Sequence, residues 1–253
     1  MTILIGTDLS VRTAAGESLL SDVAVRVNAG ESVVVAGRSG SGKTILTRAL
    51  AGVLEDHPNF RVEGTVTRPD ELGVLFQNPE TQLVRRTVRH DVAFGLENLG
   101  VPRAEMTSRI ETWAERLDVA DLLDREVRGL SRGETTLVAL LGTLVTEPEV
   151  VILDEPLATL DRPNRKRVLT VLETLQERGT AMLVAEHDLR NLLGRVDRLL
   201  LLADGTVAER GDPASLLPHL RAAGLTLPFE TEVALERGRS PESIPLTSTG
   251  TSS

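Results

Sequence analysis

Alternating apolar and polar positions open the chain. Residues 1–30 read as short antiparallel strands, with Val23, Val25 and Val27 on one face. Asn28-Ala29-Gly30-Glu31 is a turn into a compact apolar run, Ser32-Val33-Val34-Val35-Ala36. A helical pattern over residues 43–54 stops at Glu55-Asp56-His57-Pro58-Asn59. Residues 62–68 form another short strand, ended by Pro69-Asp70. Gly73-Val74-Leu75-Phe76 is a brief buried strand, broken by Gln77-Asn78-Pro79-Glu80.

From about residue 84 to residue 146 the period becomes helical, with Ile110, Trp113, Ala114 and Leu117 at helical spacing. Pro102 and Gly129-Leu130-Ser131-Arg132-Gly133 punctuate this region, which reads as a helical insertion. Glu149-Val150-Val151-Ile152-Leu153 is a near-continuous apolar strand, as in a parallel sheet covered on both faces. Residues 164–178 predict an amphipathic helix with Val168, Val171, Leu172 and Leu175 on one stripe, capped by Gly179. Ala181-Met182-Leu183-Val184-Ala185 is the next strand and residues 188–193 a short helix. Residues 198–203 are a last strand, turning at Asp204-Gly205. Strands alternating with helices give an α/β class with a mostly parallel sheet and right-handed crossovers. Residues 1–222 read as the folded domain. Residues 223–253 read as a tail, rich in Ser, Thr, Pro, Glu and Gly after Pro228 and expected to be partly disordered. No internal repeat is visible.

Composition narrows the function classes. The 253 residues suffice for a sizeable core, and 41 % hydrophobic with 26 % charged residues is an ordinary globular balance. With no cysteine, disulfides and thiolate chemistry are excluded. A net charge of −9 argues against a basic nucleic-acid face, and 2 % aromatics with no tyrosine argue against base-stacking platforms. Met1-Thr2-Ile3-Leu4-Ile5-Gly6 lacks the basic start and apolar core of an export signal, so none is expected. No apolar run approaches the roughly 20 residues that span a bilayer.

The candidate chemistry begins at Gly37-Arg38-Ser39-Gly40-Ser41-Gly42-Lys43-Thr44, the pattern G-x-x-x-x-G-K-T between a strand and a helix. Glycines let successive backbone N–H groups converge on phosphate oxygens, and the helix N-terminus adds partial positive charge. Lys43 reaches β- and γ-phosphates, and the Thr44 hydroxyl suits Mg²⁺. The apolar strand at 150–153 ends in Asp154-Glu155, two acids at the carboxyl end of a central strand, where open sheets bind ligands. Asp154 is placed for Mg²⁺ or its water shell, and Glu155 for orienting and polarising an attacking water.

With these motifs the chain resembles the nucleotide-binding subunits of ATP-binding-cassette (ABC) transporters, from about residue 3 to residue 222. Residues 37–44 match the Walker A loop and Gln77 the Q-loop. Leu130-Ser131-Arg132-Gly133-Glu134 match the signature, and residues 150–155 the Walker B strand. Ala158-Thr159-Leu160-Asp161 match the D-loop and His187 the switch histidine. A finer likeness lies in residues 75–83 and 87–100, which resemble the ATPases of energy-coupling-factor (ECF) importers of vitamins and of metal ions such as cobalt and nickel.

The resemblance implies a P-loop NTPase (RecA-like) core, an N-terminal antiparallel β subdomain and an inserted α-helical subdomain at about 84–146. It implies ATP and Mg²⁺ as cofactors. Residues 37–44 would surround the phosphates, with Thr44, Gln77 and Asp154 at the metal and Glu155 and His187 catalytic. Subunits of this family pair head to tail, so Ser131 and Gly133 would bind the γ-phosphate held by a second ATP-binding subunit. An integral membrane subunit would dock through the region Gln77 joins to the site. No nucleic-acid partner is expected, and the resemblance places the chain in the cytoplasm, peripheral on the membrane. His57, His90 and His219 read as ordinary residues.

Two motifs depart from the family pattern. The signature usually reads Leu-Ser-Gly-Gly-Gln, whereas Arg132 replaces the first glycine and Glu134 the glutamine. A weakly hydrolysing regulatory half of a heterodimer is therefore an alternative, beside a soluble ABC protein acting on ribosomes or DNA. The adenine platform, usually an aromatic about two dozen residues before Walker A, is absent. Val11, Arg12 and Thr13 stand near that position, which predicts weak discrimination between bases.

Overall fold

The computed structural model describes residues 1–244 and Leu246. β1 (Thr2–Thr13) pairs antiparallel with β2 (Ser18–Asn28) and with β4 (Phe60–Thr67) in a three-stranded sheet ordered β2-β1-β4. The alternation of β2 buries Val23, Val25 and Val27, as expected.

The second sheet holds β3 (Ser32–Ala36), β5 (Leu72–Leu75), β6 (Val150–Asp154), β7 (Ala181–Glu186), β8 (Arg198–Ala203) and β9 (Thr206–Gly211). Its order is β5-β6-β7-β3-β8-β9, parallel except for β9. β3, β6 and β7 are buried at every position because both faces are covered. Period-2 alternation divides their side chains between two cores. Val33, Val35, Ile152 and Leu183 join the antiparallel sheet and α1 (Lys43–Leu50) in one. Val34, Leu153, Val184 and Met182 face the other, built on helices α2 (Val88–Asn98), α3 (Arg103–Arg116), α4 (Arg132–Leu144) and α5 (Arg162–Glu177). Ile110, Trp113, Ala114 and Leu117 are buried in this second core.

Four local expectations are corrected. α1 ends at Leu50 rather than near Glu55, because Gly52 takes φ 77° and Val53 N–H bonds Arg48 O at 3.0 Å, closing the last turn. Residues 188–193 are turns and no helix. The Asp188 carboxylate accepts from Arg190 N–H at 3.1 Å, and Leu189 N–H goes to Thr226 O at 2.8 Å, so these groups are diverted from helical bonds. β8 is followed by a further strand, β9. Asp204 and Gly205, at φ 48° and 75°, make the tight turn that folds it back. Its sequence is polar because it lies at the sheet edge.

The fourth correction concerns the tail. After α6 (Pro213–Ala222), residues Phe229–Glu236 form α7, and a 3₁₀ turn spans Pro241–Ser243. Leu225, Leu227, Ala234 and Ile244 are thinly spaced among polar residues, yet all join the helical-side core. Composition alone hid this anchoring; the part of the expected tail at 247–253 lies outside the described residues. Ile244 is 5 % exposed. Ile244→Ala is therefore expected to cost about 2–4 kcal/mol, read from the urea midpoint. A midpoint equal to wild type would show that the tail contributes nothing.

Candidate functional site

The centre of the site is where β3 runs into α1. Gly37 permits close approach, since a Cβ there would lie 2.5 Å from Leu202 O. Gly40 and Gly42 take φ 83° and 103°, conformations that favour glycine. The loop is tied by Ser41 N–H to Arg38 O and by Gly205 N–H to Ser41 O, both 3.1 Å. Lys43 curls back beneath it, its Nζ donating to Gly37 O at 2.8 Å and Arg38 O at 3.1 Å. Burial lowers the Lys43 pKa, against the opposing charges of Glu155, Asp154 and Glu186.

Those acids end two neighbouring strands. Asp154 closes β6, is 1 % exposed, and accepts from the Thr47 hydroxyl at 3.4 Å through Oδ2. Its Oδ1 is buried with no hydrogen-bond partner. Burial raises its pKa, partly offset by a hydrogen bond from Thr44 and the Lys43 charge. Glu155 follows at φ 52°, a left-handed conformation costing a non-glycine residue about 1–2 kcal/mol. Its N–H bonds Ala185 O at 2.9 Å. Its carboxylate lies 3.8 Å from Lys43 Nζ and 3.3 Å from His187 Nδ1, and accepts from Gln77 Nε2 at 3.3 Å. Residues 37–44, Gln77, Asp154, Glu155 and His187 therefore converge. A triphosphate, a hydrated cation and an attacking water would all find partners here.

A cleft of about 460 Å³ opens over the loop, lined by Ser39, Gly40, Lys43, Thr44, Gln77 and Glu155. Its far wall is Glu17, Ser18, Leu19, Asp204 and Gly205, none of them expected. The Asp204-Gly205 pair signalled only a turn, and its nearness to the loop follows from sheet order. Of the residues near the usual base-platform position, Val11 is fully buried in the core beneath β1, and neither Arg12 nor Thr13 lines the cleft.

Ser131 lies elsewhere, in a second cleft of about 420 Å³ with Asp118, Asp121, Glu134, Asn164 and Arg167. Ser131 caps α4: its Oγ accepts from Glu134 N–H at 3.3 Å, and Glu134 accepts from Ser131 N–H at 2.6 Å. The bond from Ser131 N–H, with further support from Arg125, lowers the Glu134 pKa. Gly133 sits in the first turn of α4, a built Cβ lying 3.4 Å from Asn164 Nδ2. The Arg132 side chain is exposed, with no ion pair among the described residues.

Glu186, at the end of β7, was not expected from sequence. It is 1 % exposed and accepts from Leu157 N–H at 3.1 Å and His187 N–H at 3.3 Å. Burial raises its pKa from 4.5 to about 7, helped by the Glu155 and Asp188 charges and opposed by those two amides.

Residues 20–158 match the ABC transporter family. Over 231 residues the chain is 40 % identical to a Halobacterium salinarum protein named as an ABC transporter ATP-binding protein, covering 87 % of this chain and 100 % of that one. It is 35 % identical to the energy-coupling factor transporter ATP-binding protein EcfA1 of Bacillus subtilis, over 94 % of this chain and 90 % of that one. Among solved structures, cbiO1 of Clostridium perfringens, part of the ABC transporter complex cbiONQ, matches with a TM-score of 0.75 and 26 % identity, covering 95 % and 98 % of the two chains.

The raised pKa of Glu186 has a consequence for stability. The folded chain holds this proton more tightly than the unfolded chain, so the stabilisation is fully present below about pH 4.5 and is lost as pH rises through about 7. Glu186→Gln, neutral at every pH, is expected to stabilise the ligand-free chain at pH 8 by on the order of 3 kcal/mol. That gain should shrink to less than about 1 kcal/mol at pH 5, as read from urea melts at both pH values; a pH-independent difference would refute it.

Proposed function

Because the chain belongs to the ABC transporter family, we propose that it is the ATPase of an ECF-type importer, energising uptake of a vitamin or a metal ion. It binds and hydrolyses ATP, and hydrolysis is coupled to transport. The observation that carries this reading is the convergence of Lys43, Gln77, Asp154, Glu155 and His187 around one glycine-rich loop.

The loop amides and Lys43 bind the β- and γ-phosphates, Lys43 leaving the carbonyls of Gly37 and Arg38 to do so. The buried, unpartnered Asp154 Oδ1 and the neighbouring Thr44 hydroxyl fit a divalent cation, so Thr44, Asp154 and Gln77 would hold Mg²⁺. When bound, Mg²⁺ would neutralise charge on the phosphates. Glu155 orients and polarises the attacking water, and His187 contacts the γ-phosphate. No aromatic lines the cleft, which supports weak base discrimination.

Separation of Ser131 from the loop cleft supports a site completed by a second ATP-binding subunit, whose γ-phosphate Ser131 and Gly133 would meet at the N-terminus of α4. No helix among the described residues is long and apolar enough to cross a membrane. An integral membrane subunit is the remaining partner, with this chain peripheral on the cytoplasmic face and residues 84–146 forming the inserted helical subdomain. The exposed Arg132 favours one second reading, a weakly hydrolytic regulatory half. In the complex that co-purifies with the chain, Glu155→Gln is expected to lower ATPase activity at least about a hundredfold while ATP binding persists. Undiminished activity would favour the regulatory reading.

A further inference from the structure

The mechanism above leaves Glu186 without a task. Its carboxylate is buried, and no Lys or Arg pairs with it among the described residues. The charged and titratable groups around it are Glu155, Asp188, His187 and Lys43. A carboxylate is costly in such a place unless its bonds are needed.

Those bonds join two parts of the site. The 155–157 turn carries Glu155 at φ 52°, and two contacts with the end of β7 hold it there. One is Glu155 N–H to Ala185 O at 2.9 Å; the other is Leu157 N–H to Glu186 Oε1 at 3.1 Å. The second oxygen of Glu186 takes the amide of His187 at 3.3 Å. One side chain therefore spans from the segment after Glu155 to His187, whose Nδ1 stands 3.3 Å from the Glu155 carboxylate. Two residues beyond Leu157, the Thr159 hydroxyl meets that of Thr136 on α4 at 3.2 Å, so the tied segment also touches the helix that Ser131 caps. Without the Leu157 bond, only the Ala185 contact holds the turn, and the Glu155 carboxylate is less firmly fixed against Lys43 and His187.

We propose that Glu186 is a positioning residue for ATP hydrolysis, its side chain stapling the 155–157 turn to the end of β7 and fixing the spacing of Glu155 and His187. The inference rests on the function proposed above. It makes side-chain length the deciding property. Glu186→Gln keeps that length and one acceptor for Leu157 N–H, whereas Glu186→Asp keeps the charge and falls one methylene short.

The test is ATP titration of the full chain in its co-purified complex, with Glu155→Gln alongside. Glu186→Gln should keep at least about a third of wild-type kcat, and Glu186→Asp should lose about tenfold or more, with KM within about twofold in both. If Glu155→Gln abolishes turnover but Glu186→Asp matches or exceeds Glu186→Gln, or KM rises in step with lost kcat, this inference alone is overturned. Turnover that survives Glu155→Gln overturns the proposed function and this inference with it.

Discussion

Lys43 faces the carboxyl ends of β6 and β7, where Asp154, Glu155 and Glu186 place three carboxylates around one buried ammonium. That imbalance governs the site. Burial disfavours charge on Lys43, Asp154 and Glu186, and proximity makes each depend on the others. The lysine is anchored by loop carbonyls, and Glu155 is shared by Lys43, Gln77 and His187. Glu186 is satisfied by amides. A ligand bringing phosphates and a divalent cation would exchange these internal contacts for its own. The arrangement is therefore suited to switching between two sets of partners.

The architecture puts these groups together through the parallel sheet. The carboxyl ends of β3, β6 and β7 lie side by side because the strand order brings the three together, although about 110 residues separate the loop from Asp154. The β8–β9 hairpin adds a brace. Gly205 N–H bonds Ser41 O, and Ser21 N–H bonds Gly205 O at 2.9 Å, fastening the antiparallel sheet and the phosphate loop to one turn. Loop shape is thus set partly by a distant hairpin.

The site residues expected from sequence, residues 37–44 with Gln77, Asp154, Glu155 and His187, converge around the carboxyl ends of β3, β6 and β7, while Ser131 lines a separate cleft. Motif chemistry was legible because it needs particular residues at short spacing, beside strands whose apolar runs are unmistakable. The corrections have local causes. Gly52 closes α1 early, Asp188 diverts backbone bonds from a helix, and four apolar residues hold a tail whose composition reads as disordered. Of Val11, Arg12 and Thr13 near the usual base platform, Val11 falls on the core side because a strand's two faces differ by one residue.

The sequence by itself determined the class of fold, the phosphate loop, the acids after β6 and the family, since each is written in contiguous residues or in alternation of period 2 or 3.6. Tertiary structure decided what long-range packing creates. The β9 edge, the Glu17–Leu19 wall, the burial of Glu186 and its two amide partners come from strand order and from the geometry of strand ends. Glu186 shows the reason. In sequence it is one more glutamate beside a histidine; only the fold removes its water and gives it Leu157.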